Sequence, residues 1–122
     1  MRKVIERGAF LQPLSVPRED VAVPELGEGC VIPVWGMTAG ERTRFEQGLL
    51  DKNGKQSAAK VQEVRARLLV ACCRNDDGTP LFTMDDIAAI SQQRADVIER
   101  IVNVAQRLSG FSNADIEATA KN

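Results

Sequence analysis

Val21-Ala22-Val23-Pro24-Glu25-Leu26-Gly27-Glu28-Gly29-Cys30-Val31-Ile32-Pro33-Val34-Trp35 reads as two β-rich runs, Val21–Pro24 and Cys30–Trp35, separated by turn material. Gly36-Met37-Thr38-Ala39-Gly40-Glu41 follows at once and carries a capping box. In that motif the Thr38 hydroxyl accepts from the Glu41 amide, and the Glu41 carboxylate reaches back to the Thr38 amide. A hairpin delivering straight into a capped helix predicts an α+β protein. Pro24 and Pro33 each lack the amide that a ladder needs, so both runs belong at an edge. A lone two-stranded hairpin is marginal in water, so this one has to pack on helices or on a partner's strand. Trp35, the single tryptophan, leaves two readings open: an anchor between hairpin and helices, or a hot spot for a partner.

Downstream, the pattern turns helical. The first helix is predicted from Ala39 to Leu50, with Phe45 and Leu49 inward and Arg42, Arg44 and Glu46 in solvent. Asn53-Gly54 marks the turn after it. Ser57 caps a second helix running to Cys73, on which Val61, Val64, Leu68, Ala71 and Cys72 form one stripe. Asn75-Asp76-Asp77-Gly78-Thr79-Pro80 stops it. Adjacent acids before a glycine lack the alternating ligands and closing glutamate of a calcium loop, so this is a turn. Thr83-Met84-Asp85-Asp86 opens a short helix whose inner face is Ile87 and Ile90.

From Arg94 the periodicity is strongest. Val97, Ile101, Val104 and Leu108 make one seam, and Ile98, Val102 and Ala105 a second beside it. Together the seams span roughly 160° of the helix, at 100° per residue. So wide a stripe fits a central core helix, or one that shares a face with another chain. Ile98 and Val102 are therefore candidate partner-binding residues, with Trp35. Gly110 ends the helix. Phe111 and Ile116 are the large apolar groups of the tail after it, and they either join the partner surface or fold back onto the domain. The expected architecture is a lead-in over 1–20, a single domain over 21–110 and a loosely held tail over 111–122. Within it, a small N-terminal hairpin packs on a mainly α-helical domain of about four helices. In the lead-in, Pro13 and Pro17 restrict regular structure to a short helix or strand before an extended run.

Absent residue types narrow the chemistry. The 122 residues include no histidine and no tyrosine. Without histidine the commonest general base, the usual zinc ligand set and the Cys-His pair are missing. No catalytic residue, metal or cofactor is expected. Cys30, Cys72 and Cys73 form an odd set in which two neighbours point in different directions on a helix. They read as buried thiols of a reducing compartment, with a redox pair as the alternative. Lys plus Arg number 16 against 17 for Asp plus Glu, a balance that argues against a nucleic-acid binder. No apolar run is long enough to span a bilayer, and Met1–Arg7 does not develop into a secretory signal.

With those residues in place, the chain resembles the tail assembly chaperones of long-tailed bacteriophages and prophages, from Val21 to Asn122. The resemblance rests on Val23–Gly27, the β run ending at Trp35, Met37–Arg42 with Phe45-Glu46, and the helix ending at Cys73. It continues through Asp77-Gly78 before Leu81-Phe82, the long helix to Leu108-Ser109-Gly110-Phe111, and Lys121-Asn122. It implies a non-enzymatic protein that coats the tape-measure protein and keeps it soluble while tail-tube protein polymerises around it. It further implies action in the bacterial cytoplasm, absence from the finished virion, and in many such phages a frameshifted, C-terminally extended form. Self-association stays open. The rival readings are a structural virion component, such as a tail-completion or connector subunit, or another small protein-interaction module, and an enzyme or redox protein using Cys72 or Cys73.

Overall fold

Thr38 opens a helix as its capping box predicts, and the computed structural model, which describes residues 1–111, shows both halves of the motif. The Glu41 amide donates to the Thr38 hydroxyl at 3.2 Å, and the Thr38 amide donates to the Glu41 carboxylate at 2.9 Å. Glu41 also accepts from Arg74 at 2.6 Å, which ties the start of this helix to the end of another. Thr38→Ala is expected to lower stability by about 1 kcal/mol, because an amide of the first turn loses its acceptor. An unchanged melting temperature would show that water or a shifted helix start replaces the hydroxyl.

The architecture is α+β: a two-stranded antiparallel hairpin against a mainly helical body. In chain order the elements are α1 (Arg7–Leu11), β1 (Arg18–Ala22), β2 (Val31–Trp35) and α2 (Ala39–Gln47). Then come α3 (Ala58–Gln62), α4 (Val64–Cys72), α5 (Ile87–Ser91) and α6 (Ala95–Ser109). Short 3-10 turns cover Pro24–Leu26 and Met84–Asp86. Among the described residues six α-helices stand where about four are expected, because α1 forms in the lead-in and the second predicted helix splits. The split falls at Glu63, whose backbone sits at φ −96°, ψ 10°. Its amide bonds three residues back, to Lys60, and the step leaves both Val61 and Val64 buried.

The first strand also differs from expectation. It begins at Arg18 and ends at Ala22, and Pro24 starts the 3-10 turn instead of continuing the strand. Its charged half is held by distant side chains. The Arg18 guanidinium lies 4.9 Å from the centre of the Trp35 ring and pairs with Asp76 at 2.7 Å. Glu19 accepts from Arg107 on α6 at 2.6 Å. The register sets Arg18 opposite Trp35 and Val21 opposite Ile32. On its other side β2 meets Cys73 and Arg74, since the Arg74 amide donates to the Pro33 carbonyl at 3.2 Å. This contact adds a partner beyond the hairpin, as a marginal two-stranded sheet requires.

The core lies where α4 crosses α6 beneath the hairpin. Leu68, Val102, Ala105, Cys72, Cys73 and Val34 are fully buried there, and Ile101 nearly so. Both seams of α6 are used inward, as in the central-helix reading: Val97, Ile101, Val102 and Ala105 are buried and Ile98, Val104 and Leu108 are packed at the margin. Gly110 takes φ 81°, a left-handed conformation that a side chain disfavours. Its amide donates to the Arg107 carbonyl at 3.4 Å and the Phe111 amide to the Gln106 carbonyl at 2.9 Å. That bond pair is a Schellman motif, and it turns the chain back on itself.

Candidate partner-binding surface

The Schellman turn decides where Phe111 goes. Its ring meets Phe45 edge-on, centroids 5.8 Å apart, and the Arg42 guanidinium lies 4.0 Å from its centre. Phe111 is thus half-buried against α2, the fold-back arrangement. Trp35 is half-buried too, beneath Arg18, and its indole N–H is buried with no acceptor among the described residues. Val102 is fully buried, so a partner could reach it only through the side chains above it. Ile98 is half-exposed, and Ile116 lies outside the described residues. Among the described candidates, Val102 is thus sealed in the core, and Trp35 and Phe111 each lie under an arginine side chain.

Ile98 instead lines an apolar groove of about 310 Å³ with residues that sequence periodicity did not single out for binding. Leu26 from the 3-10 turn, Ile32 from β2, Phe82 and Ile90 share its walls, and the buried Leu69, Val97 and Ile101 underlie it. Asp86 is the one charged residue of the lining. Its carboxylate accepts from the Thr83 amide at 2.8 Å, which holds the turn leading into α5. Five separate segments build this groove, and no local pattern links them. Only Leu26 and Phe82, large apolar residues in turn regions, hinted at it.

The groove's outer wall is clamped electrostatically. Glu25, next to Leu26, accepts from both Arg100 guanidinium nitrogens, at 2.9 and 2.7 Å, and lies 3.4 Å from Arg94. The Arg100 hydrogen bonds, ahead of every other influence, pull the Glu25 carboxyl down to about 2, so it stays ionised near neutrality. Arg100 donates as well to the Ala22 carbonyl at 3.1 Å, fastening the 22–26 segment to α6. A second cleft, between α2 and α4, differs in character: Arg44, Arg67 and Arg74 line it with Glu41 and Phe45.

Cys72 and Cys73 offer no reactive centre by geometry. Cys72 and Cys73 are fully buried, and burial pushes their thiols up to about 11 and about 12. A protonated, inaccessible thiol is a poor nucleophile. Cys30 is exposed. A native-state thiol titration is expected to label one cysteine quickly and the other two only in denaturant; rapid labelling of all three would restore the redox reading. Among the described residues, no group of three or more His, Cys, Asp or Glu is placed to hold a metal. Among them, too, no helix is long and apolar enough to cross a membrane.

No protein-family model matches the chain, and no curated protein matches it. Among solved structures it is similar to the tail assembly chaperone of bacteriophage HK97, with a TM-score of 0.53 at 19% sequence identity. The match covers 75% of this chain and 84% of that one. At that identity the likeness speaks for the backbone arrangement alone. The chain has the fold of a bacteriophage tail assembly chaperone.

Proposed function

We propose that this protein is a tail assembly chaperone of a long-tailed phage or prophage. It binds apolar stretches of the tape-measure protein and keeps them soluble until tail-tube protein packs around them. The observation that supports this most directly is the groove at Ile98, carried on a fold shared with the HK97 chaperone. An open apolar channel flanked by Leu26, Ile32 and Phe82 suits one face of an amphipathic helix, whose anchors recur at three- and four-residue spacing. Trp35, Phe111 and Ile116 belong to the same proposal as further candidate contacts, separate from the groove. The work is done in the bacterial cytoplasm, and the protein leaves before the virion is complete.

Coexpression with a helical tape-measure fragment tests it. The wild-type chain is expected to keep the fragment in the soluble fraction, and Ile98→Glu to lose that effect while keeping its melting temperature. Equal solubilisation by the variant would remove the groove from the reaction. Recovery of the chain from purified, finished particles would favour a tail-completion or connector subunit instead.

A further inference from the structure

Among the described residues, every arginine from Arg18 to Arg107 but one pairs with a carboxylate. The exception is Arg44, exposed on the last turn of α2. A helix C-terminus favours a cation by itself, but that preference needs no apolar surface beside it. Arg44 has one. It lines the cleft between α2 and α4, about 370 Å³ in volume, with the half-buried Met37, Phe45 and Val70 and the exposed Met84. Arg67 and Arg74 complete the lining as fixed donors. Arg74 donates to Glu41 at 2.6 Å, and Arg67 donates to the Glu63 carboxylate at 3.2 Å and the Gly48 carbonyl at 3.4 Å. Glu41 is the one acid of the lining, and both its oxygens are taken, by the Thr38 amide and by Arg74. Even with Glu63 counted, the cleft keeps a positive charge unanswered at Arg44.

We infer that this cleft binds an acidic segment of a partner protein, one that sets a carboxylate beside a large apolar side chain. The apolar side chain packs on Met37, Phe45 and Val70, and the carboxylate accepts from Arg44 and from the nitrogens of Arg74 that Glu41 does not use. A guanidinium suits a carboxylate because its planar fork offers two parallel donors. Arg74 is already held by Glu41 and Arg67 by Glu63, so binding has fewer side chains left to order. A polyphosphate backbone suits the cleft less well, because Glu41 stands inside it and the whole chain carries a net charge of -1. The cleft shares no lining residue with the Ile98 groove. It is a separate site, and this inference does not rest on the tape-measure protein as client.

Fluorescence anisotropy on the full chain tests it, with a labelled Glu-Asp-Leu-Phe-Asp-Glu peptide and the same peptide carrying Gln and Asn for its acids. The acidic peptide is expected to bind the wild type, more weakly as salt is raised, and the amide peptide to bind about tenfold less tightly. Arg44→Gln is expected to weaken the acidic peptide about tenfold, the worth of one charge-assisted hydrogen bond. Its melting temperature is expected to stay unchanged, since Arg44 has no ion pair to lose. Lys52→Gln removes the same charge at an exposed position outside the cleft and is expected to leave the affinity as it was. Absence of binding by the wild type, equal binding of the amide peptide, or an equal loss from Lys52→Gln would each overturn the inference. Binding that emerges only in Asp115→Asn/Glu117→Gln would assign the cleft to the chain's own acids. A labelled single-stranded oligonucleotide that binds more tightly than the peptide would assign it to nucleic acid. Either result overturns the partner reading.

Discussion

Leu68→Ala is expected to lower stability by about 3–5 kcal/mol, near the top of the range for a buried leucine. Leu68 is fully buried on α4 and belongs to the same core cluster as Ile101, Val102 and Ala105 of α6. Its removal strips dispersion contacts from both helices and leaves a cavity that two crossing backbones cannot close. For a domain whose total stability is of order 5–15 kcal/mol, that is a large share of the whole. Urea unfolding would register it as a fall in midpoint with little change in slope. A loss below about 1 kcal/mol would mean that α4 can slide inward, contrary to a core of this kind.

Gly36→Ala is the second large effect, and it acts by collision. A β-carbon at Gly36 would lie 2.5 Å from the Leu108 carbonyl oxygen, and 3.2 Å from both the Leu108 carbonyl carbon and Pro17 Cδ. The nearest obstacle is backbone, so no rotamer change relieves it. The end of α6 would have to move, or the hairpin would have to leave it. Overpacking of this sort costs about 1–3 kcal/mol. Gly8→Ala is the control: its β-carbon would meet nothing within 4 Å. It sits inside α1, where alanine is the better helix former, so no loss is expected. If both substitutions left the melting temperature unchanged, the contact between Gly36 and α6 would be looser than it stands.

The elements legible in the sequence were those whose signals are local. The Thr38–Glu41 box, the Ser57 cap, the Asn53-Gly54 turn and the Gly110 stop are all satisfied by partners within five residues, so the chain writes them down directly. The breadth of the α6 stripe was legible for the same reason: a 3.6-residue period displays the buried face of a helix in one dimension. The first half of β1 was not. Arg18-Glu19-Asp20 carries no alternation of apolar residues, and its pairing depends on Trp35, Asp76 and Arg107, which lie 17, 58 and 88 positions away.

What the sequence by itself determined is the α+β class, the order of hairpin and helices, the caps that start and stop them, and the face of α6 that turns inward. These follow from hydrogen bonds and periodicities that act over a few residues, so they hold whatever surrounds them. The tertiary structure alone decided the position of the groove, because Leu26, Ile32, Phe82, Ile90 and Ile98 meet only once β2, α5 and α6 have packed. It also decided that Val102 is sealed inside, that Phe111 folds onto Phe45 beneath Arg42, and that the second helix breaks at Glu63. Each of these is settled by competition for space among distant segments, and burial in a close-packed interior is a property of the whole fold that no single stretch of sequence carries.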